Sequence, residues 1–221
     1  MELELDHIVL GADNLEQGLN LITEKFGVDV PRGGEHLQMG THNCVMALGP
    51  NCYFEIIAIA PHLKVTVRPR WFDFDNPDQR ARIAERPRIL TWVVRTPDLE
   101  QTLAKTSEDL GEIVAMQRGD LNWQLTIRED GSLPLGGLCP ALIQWQNNLP
   151  PVANMTDLEC RVENITLAHP EPESLASALE SLGVDHLVNV KNTENNSKII
   201  KVELAIVGDV TDVIKSTTKT L

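Results

Sequence analysis

Two side chains in the first sixty residues sit where their chemistry is out of keeping with their neighbours. His7 lies within Leu5-Asp6-His7-Ile8-Val9-Leu10, and Glu55 is the one acid in Cys52-Tyr-Phe-Glu-Ile-Ile-Ala-Ile59. A carboxylate in so apolar a strand costs several kcal/mol, roughly, unless a metal, a shared proton or a cation answers it. An arginine from the segment 68–88 would serve as well as a metal. His7 reads either as a satisfied core or edge histidine or as a group turned into an interior. Strand period puts Leu5, His7 and Val9 on one face and Ile8 and Leu10 on the other. An imidazole and a carboxylate suit Zn, Ni, Fe or Mn.

Other positions could serve the same site. His42 falls in a run expected to neighbour Glu55, either as a strand-edge histidine or as a third ligand or proton carrier beside Glu55. Arg118 and Asp120 flank Gly119 in a hairpin turn, as an anion clamp by Arg118 or as an ion pair fixing the turn. Trp71 shares a long loop with Phe72 and Phe74, and aromatic clusters in such loops often cover sites. Trp123 shares its face with Leu121 and Leu125, which favours a core role. The cysteines at 44, 52, 139 and 160 fit no zinc spacing and read as small core residues. No GxSxG, GxxxxGK[ST], HExxH or post-strand GxGxxG is present.

The elements that must position these groups follow from period and punctuation. Residues 3–10 read as a strand. Asp13 or Asn14 caps a helix with Leu15, Leu19, Ile22 and Phe26 at helical spacing, ended by Gly27. Gly33-Gly34 reads as a loop, and 42–48 and 53–59 as strands about Gly49-Pro50-Asn51. The order then restarts. Residues 89–95 read as a strand, and Pro97-Asp98 opens a helix carrying Leu99, Leu103 and Leu110 and closed by Gly111. Leu15-Glu16-Gln17 reappears as Leu99-Glu100-Gln101, and Phe26-Gly27 as Leu110-Gly111, always 84 residues on. A constant offset across a whole helix marks an internal repeat. Strands near 112–118, 121–128 and 141–146 complete the second unit. A partial third unit has a strand at 158–167, a helix from Pro172 with Leu175, Leu179 and Leu182 to Gly183, and strands at 186–190 and 199–207 about the turn Asn192–Ser197. Segments 61–87 and 147–157 read as linkers.

Strand, helix and three strands, given twice, resembles the organisation of the vicinal oxygen chelate superfamily, and within it the glyoxalase-like domain proteins. The residues that carry the resemblance are Leu5-Asp6-His7-Ile8-Val9-Leu10, Gly40-Thr41-His42-Asn43 and Tyr53-Phe54-Glu55-Ile56-Ile57. In the second half they are Arg118-Gly119-Asp120, Trp123, Asp130-Gly131, Pro134, Gly136-Gly137 and Gln144-Trp145. The resemblance covers about residues 1–147. It implies an α+β fold in which tandem βαβββ units, 3–60 and 88–147, form a cup-shaped mixed sheet. A partial βαββ unit within 158–221 would pack on it. It also implies a divalent metal held by the first and last strands of each unit, polarising a substrate with adjacent oxygens. On this chain those positions are His7, Glu55 and, in the second unit, Thr91 and Gln144. Thr is a poor ligand and a Gln amide a weak one, so the expected metal set is His7, Glu55 and Gln144, with Thr91 beside the substrate.

Composition bounds the partners. The 221 residues carry 19 basic and 32 acidic side chains, a formal charge of −13, which disfavours nucleic acid and anionic membranes. The acidic start lacks the basic region of a secretory signal and no apolar run approaches a bilayer span, so a cytoplasmic protein, monomer or homodimer, with a small-molecule ligand is expected. Two functions fit. One is metal-assisted isomerase, lyase or dioxygenase chemistry with Glu55 or His42 moving a proton. The other is metal-free binding or sequestration of a small molecule, which Thr91 and Gln144 favour.

Overall fold

The computed structural model describes residues 3–64, 68–106, 108–148, 150–193, 197–206 and 210–219. The first half runs β1 (Glu4–Gly11), α1 (Leu15–Phe26), β2 (Arg32–His36), β3 (Thr41–Ala47) and β4 (Tyr53–Ile59). After α2 (Pro77–Glu85), the second half repeats the order as β5 (Arg88–Arg95), α3 (Leu99–Leu103), β6 (Glu112–Arg118), β7 (Leu121–Ile127) and β8 (Ala141–Trp145). These strands make one eight-stranded sheet in the order β2-β3-β4-β1-β5-β8-β7-β6. Each half has its first and last strand parallel, and the halves join through the antiparallel pair β1–β5. The sheet curls nearly closed: Gln38, just after β2, hydrogen-bonds the backbone of Ala115 and Gln117 on β6. The fold is the tandem βαβββ cup.

Strand alternation divides the apolar residues into two layers. On β4, Phe54, Ile56 and Ala58 join the outer core, while Tyr53 and Ile57 join the inner one with Glu55 between them. On β1, Ile8 and Leu10 face out and Val9 faces in. Helix α1 covers the outside. Asn14 caps it by accepting from Gln17 N, Gly27 ends it at φ 67°, and Leu15, Gly18, Ile22 and Phe26 are its buried face.

Local structure departs from the sequence reading in several places. Gly33-Gly34 lies inside strand β2 and is no loop. Helix α3 stops at Leu103 and does not run to Gly111. Leu110 is buried all the same. Gly111 (φ 89°) opens β6, where a Cβ would stand 2.3 Å from the backbone of Ile127 and Arg128. The segment 61–87 contains α2, which the apolar pattern hides because Ile83 is its only buried hydrophobic residue; Asn76 caps it from Asp78 N and Gln79 N. Of the expected linkers and the turn at 192–197, residues 65–67, 149 and 194–196 lie outside the described residues.

The C-terminal segment forms β9 (Cys160–His169), α4 (Pro172–Leu182), β10 (Asn189–Asn192), β11 (Ser197–Ile206) and the further strand β12 (Val210–Lys219), in the order β10-β9-β11-β12. Its first two strands are parallel neighbours through α4, and β11 pairs on the other side of β9. This order differs from that of the two N-terminal halves. The sheet lies against the outer face of β5. Among the described residues no helix is long and apolar enough to cross a membrane.

Gly137 shows how tightly the segment before β8 packs on β5 within the second half. It has φ 94°, and a Cβ there would stand 2.0 Å from the carbonyl oxygen of Leu90 on β5. Two side chains of β5 hold this segment. Thr91 Oγ1 donates to Gly137 O (3.2 Å) and Trp92 Nε1 donates to Leu138 O (3.0 Å). Gly137→Ala is expected to cost about 2–5 kcal/mol, from left-handed backbone strain plus overpacking against backbone that cannot rotate away. Urea denaturation checks it; a variant within about 0.5 kcal/mol of the parent would show that β5 can move.

Candidate active site

The inner face of the cup encloses a cavity of about 30 Å³, room for roughly two waters. His7 and Glu55 both line it. They stand on neighbouring parallel strands, with Val9 in register with Glu55 and His7 in register with Tyr53. His7 Nε2 lies 3.7 Å from Glu55 Oε2. Each is fixed from behind. Asn43 Nδ2 donates to Glu55 Oε1 at 2.6 Å, and His7 Nδ1 donates to Asp6 Oδ1 at 2.7 Å. Tyr53 stacks on the His7 ring, centroids 4.5 Å apart. Burial, with Asp6 and Glu55 nearby, raises the Tyr53 phenol well above its ordinary range, so it stays protonated.

Asp6 and His7 are consecutive, so a regular strand would turn them to opposite faces. A register shift in the β1–β5 pairing between Leu5 and His7 changes that. Leu5 packs with the outer core and Asp6 becomes fully buried. The second Asp6 oxygen accepts from Trp145 Nε1 of β8 at 2.8 Å, tying the two halves together behind the histidine.

His36 completes the floor, a residue for which sequence gave no role. It is 4% exposed, and burial next to Arg118, His7 and His42 lowers its pKa to about 3. Its Nε2 faces two donors, Arg118 Nη1 at 3.3 Å and Asn43 Nδ2 at 3.5 Å. The proton therefore sits on Nδ1, which donates to Thr41 Oγ1 at 3.0 Å. Asn43 is the hub of this side of the cup: its Oδ1 accepts from Gly34 N (2.8 Å) and Arg118 Nη1 (3.3 Å). The glycines of β2 make room for it. A Cβ on Gly33 would stand 2.2 Å from Asn43 Oδ1, and one on Gly34 2.9 Å from Arg118 Cδ. Glycine inside a strand here marks close approach.

The other expected site residues divide. Arg118 and Trp71 line the cavity with His7 and Glu55. Arg118 does not pair with Asp120; its guanidinium reaches across to His36 and Asn43. No arginine of 68–88 answers Glu55 among the described residues; Asn43 and His7 do. Gln144 and Thr91 do not converge on the cavity. Gln144 turns outward and its Oε1 accepts from Leu99 N at the start of α3 (3.0 Å), because Ile143 and Trp145, one residue either side, take the inward positions. Thr91 is spent on Gly137. His42 also lies outside the cavity, its ring centroid 6.4 Å from that of His62. Burial, and then His62, lower its pKa. Asn43 and Val45 are the inward residues of β3, so His42, one residue before Asn43, points away. Trp123 lines the cup.

The donor set does not fit the expected divalent metal. Among the described residues no group of three or more His, Cys, Asp or Glu could hold an ion. His7 and Glu55 are two ligands only, the Nε2 of His36 is occupied, and the Arg118 guanidinium puts a positive charge on the same floor. Glu55 in place, an imidazole beside it and an arginine facing them are the parts of a site for moving a proton next to a developing negative charge.

The sequence matches the family model described as "Glyoxalase-like domain" over residues 5–183. That span runs through β9 and α4, beyond residue 147, where the sequence resemblance ends. No curated protein matches the chain. Among solved structures, a hypothetical protein from Staphylococcus aureus superposes with a TM-score of 0.56 at 15% identity, covering 99% of this chain and 88% of that one. Methylmalonyl-CoA epimerase from Mycobacterium tuberculosis gives a TM-score of 0.43 at 15% identity, over 68% of this chain and 91% of that one. The tandem cup and the family match over most of the chain agree, and the chain belongs to the glyoxalase-like domain family of the vicinal oxygen chelate superfamily.

Proposed function

We propose that this protein is a metal-independent proton-transfer enzyme of the isomerase or lyase type, acting on a small molecule with adjacent oxygens. The observation that carries this reading is the Glu55–His7 pair, 3.7 Å apart and each held from behind by Asn43 or Asp6. Glu55 takes the proton from carbon next to a carbonyl. The C–H electron pair moves into the carbonyl, leaving an enolate oxygen that faces Arg118. Glu55, now protonated, shares that proton with His7 Nε2, and the pair returns it to carbon at the end of the cycle. The imidazole keeps its orientation because Asp6 holds Nδ1. Charge favours a small molecule as the partner, and the free cysteines favour a reducing compartment such as the cytoplasm.

Pyruvate in D₂O tests this reading. The full chain is expected to exchange the methyl protons for deuterium, followed by proton NMR. Glu55→Gln keeps the shape and removes the base, and exchange should fall by at least about 100-fold. His7→Gln should fall by at least about 10-fold. Undiminished exchange in Glu55→Gln would show that Glu55 is not the base, and a parent with no exchange above buffer would assign the protein to the sequestering function instead, with Glu55 as part of its wall.

A further inference from the structure

Three features of the cup bear on which substrate it takes, and all three are donors or openings in its wall. Arg118 has no acidic partner among the described residues; its guanidinium touches only the neutral acceptors His36 Nε2 and Asn43 Oδ1, both at 3.3 Å. Trp71 lines the same cavity at 4% exposure, and its indole Nε1 is buried without a hydrogen-bond partner among the described residues. A buried orphan donor is unfavourable, and a ligand acceptor would relieve it. Gly34 leaves the space through which the Arg118 stem passes. The rest of the wall is aromatic, with Trp123 and Trp145 5.4 Å apart.

We propose that the cup takes a small oxyanion with two adjacent oxygens, such as a 2-oxo or 2-hydroxy carboxylate, held on the fork of Arg118 and capped by Trp71 Nε1. The guanidinium does the work a metal would do in this fold. A planar fork matches two adjacent oxygens on one face. It also stays positive when the enolate forms. A chain with a formal charge of −13 repels anions on average, so selection falls to this one local cation. Trp71 is set just before a sharp reversal: Phe72 and Asp73 are both left-handed, at φ 58° and 62°, and Asp73 N donates to Gly131 O at 2.8 Å.

The proposal rests on the proton-transfer reading for its chemistry, but binding tests it separately. Calorimetric titration of the full chain with oxalate, which has two adjacent carboxylates and no C–H, should show binding in the range below 10 mM. Acetate and the neutral hydroxyketone acetoin should bind at least about 10-fold more weakly. Arg118→Met should weaken oxalate at least about 30-fold, and Arg118→Lys at least about 5-fold because the point charge lacks the fork. Trp71→Phe should cost about 5-fold, from one lost hydrogen bond. Thermal melts confirm that the variants fold, and Arg118→Lys serves if Arg118→Met does not. No oxalate binding up to 10 mM, acetoin binding as tight as oxalate, or Arg118→Met within twofold of the parent would each overturn the proposal. Pyruvate that binds through Arg118 without losing methyl protons would overturn the proton-transfer reading and leave this one standing.

Discussion

Below pH 6.5 the protein is expected to lose stability steeply, by about 2–3 kcal/mol at pH 4.5 and up to about 4–5 kcal/mol near pH 3, because His36 must stay neutral to stay folded. Its folded pKa is about 3 and its ordinary value 6.5. Between those two values the unfolded chain binds a proton that the folded chain refuses. A group depressed in this way contributes its full stability above pH 6.5 and loses it as pH falls toward 3. Burial is the largest cause, and the Arg118 guanidinium adds to it. The neutral ring is also bonded as a neutral ring, accepting at Nε2 from Arg118. A second proton there would face a cation. Urea midpoints measured from pH 3.5 to pH 8 give the slope, and His36→Gln should flatten it by several kcal/mol over the range. Parallel curves for parent and variant would place the acid sensitivity elsewhere.

The same histidine shows where sequence stops being informative. The His7–Glu55 approach was legible because alternation holds along His7–Leu10 of β1 and Tyr53–Ala58 of β4, although it fails before His7, where Leu5 turns out. His36 was not, since Gly33-Gly34 before it reads as a turn until the closeness of Asn43 and Arg118 explains the glycines. Asn43 lay within the quoted run Gly40-Thr41-His42-Asn43, but only the β3–β4 register, with Val45 opposite Glu55, says that Asn43 and not His42 turns inward. Asp6 required a bulge, which has no residue signature. The 84-residue repeat located the second half correctly but says nothing of which way its side chains face. Gln144, placed by the family resemblance, turns outward because on β8 the inward places belong to Ile143 and Trp145. Thr91, in register with Val9 of β1, spends its hydroxyl on the carbonyls of Trp92 and Gly137.

Removal of residues 158–221 is expected to abolish the cooperative fold of the rest, although the cup and every proposed site residue would remain in the chain. Strands β11 and β12 lie against β5. The outer face of β5 carries Ile89, Trp92 and Val94, and beside it Leu138 and Leu142, all at most 2% exposed. Ile165, Leu167, Ile200, Val202, Leu204 and Ile214 belong to the same continuous core from the C-terminal sheet. Exposing even five side chains of this size costs about 1.5–3 kcal/mol each, a total on the order of 10 kcal/mol, which rivals the whole stability of a typical domain. Unlike the first half, where the 12-residue α1 covers the outside, the second half has only the five-residue α3. The C-terminal sheet thus takes the place of a helix too short to cover its strands. A chain ending at Asp157 should bind a hydrophobic dye, melt without a cooperative transition and resist rescue by ligand. Supplying 158–221 in trans should restore a melt if the sheet folds on contact. A sharp transition in the shortened chain, at the temperature of the parent, would show instead that β5 is stable with its outer face in water.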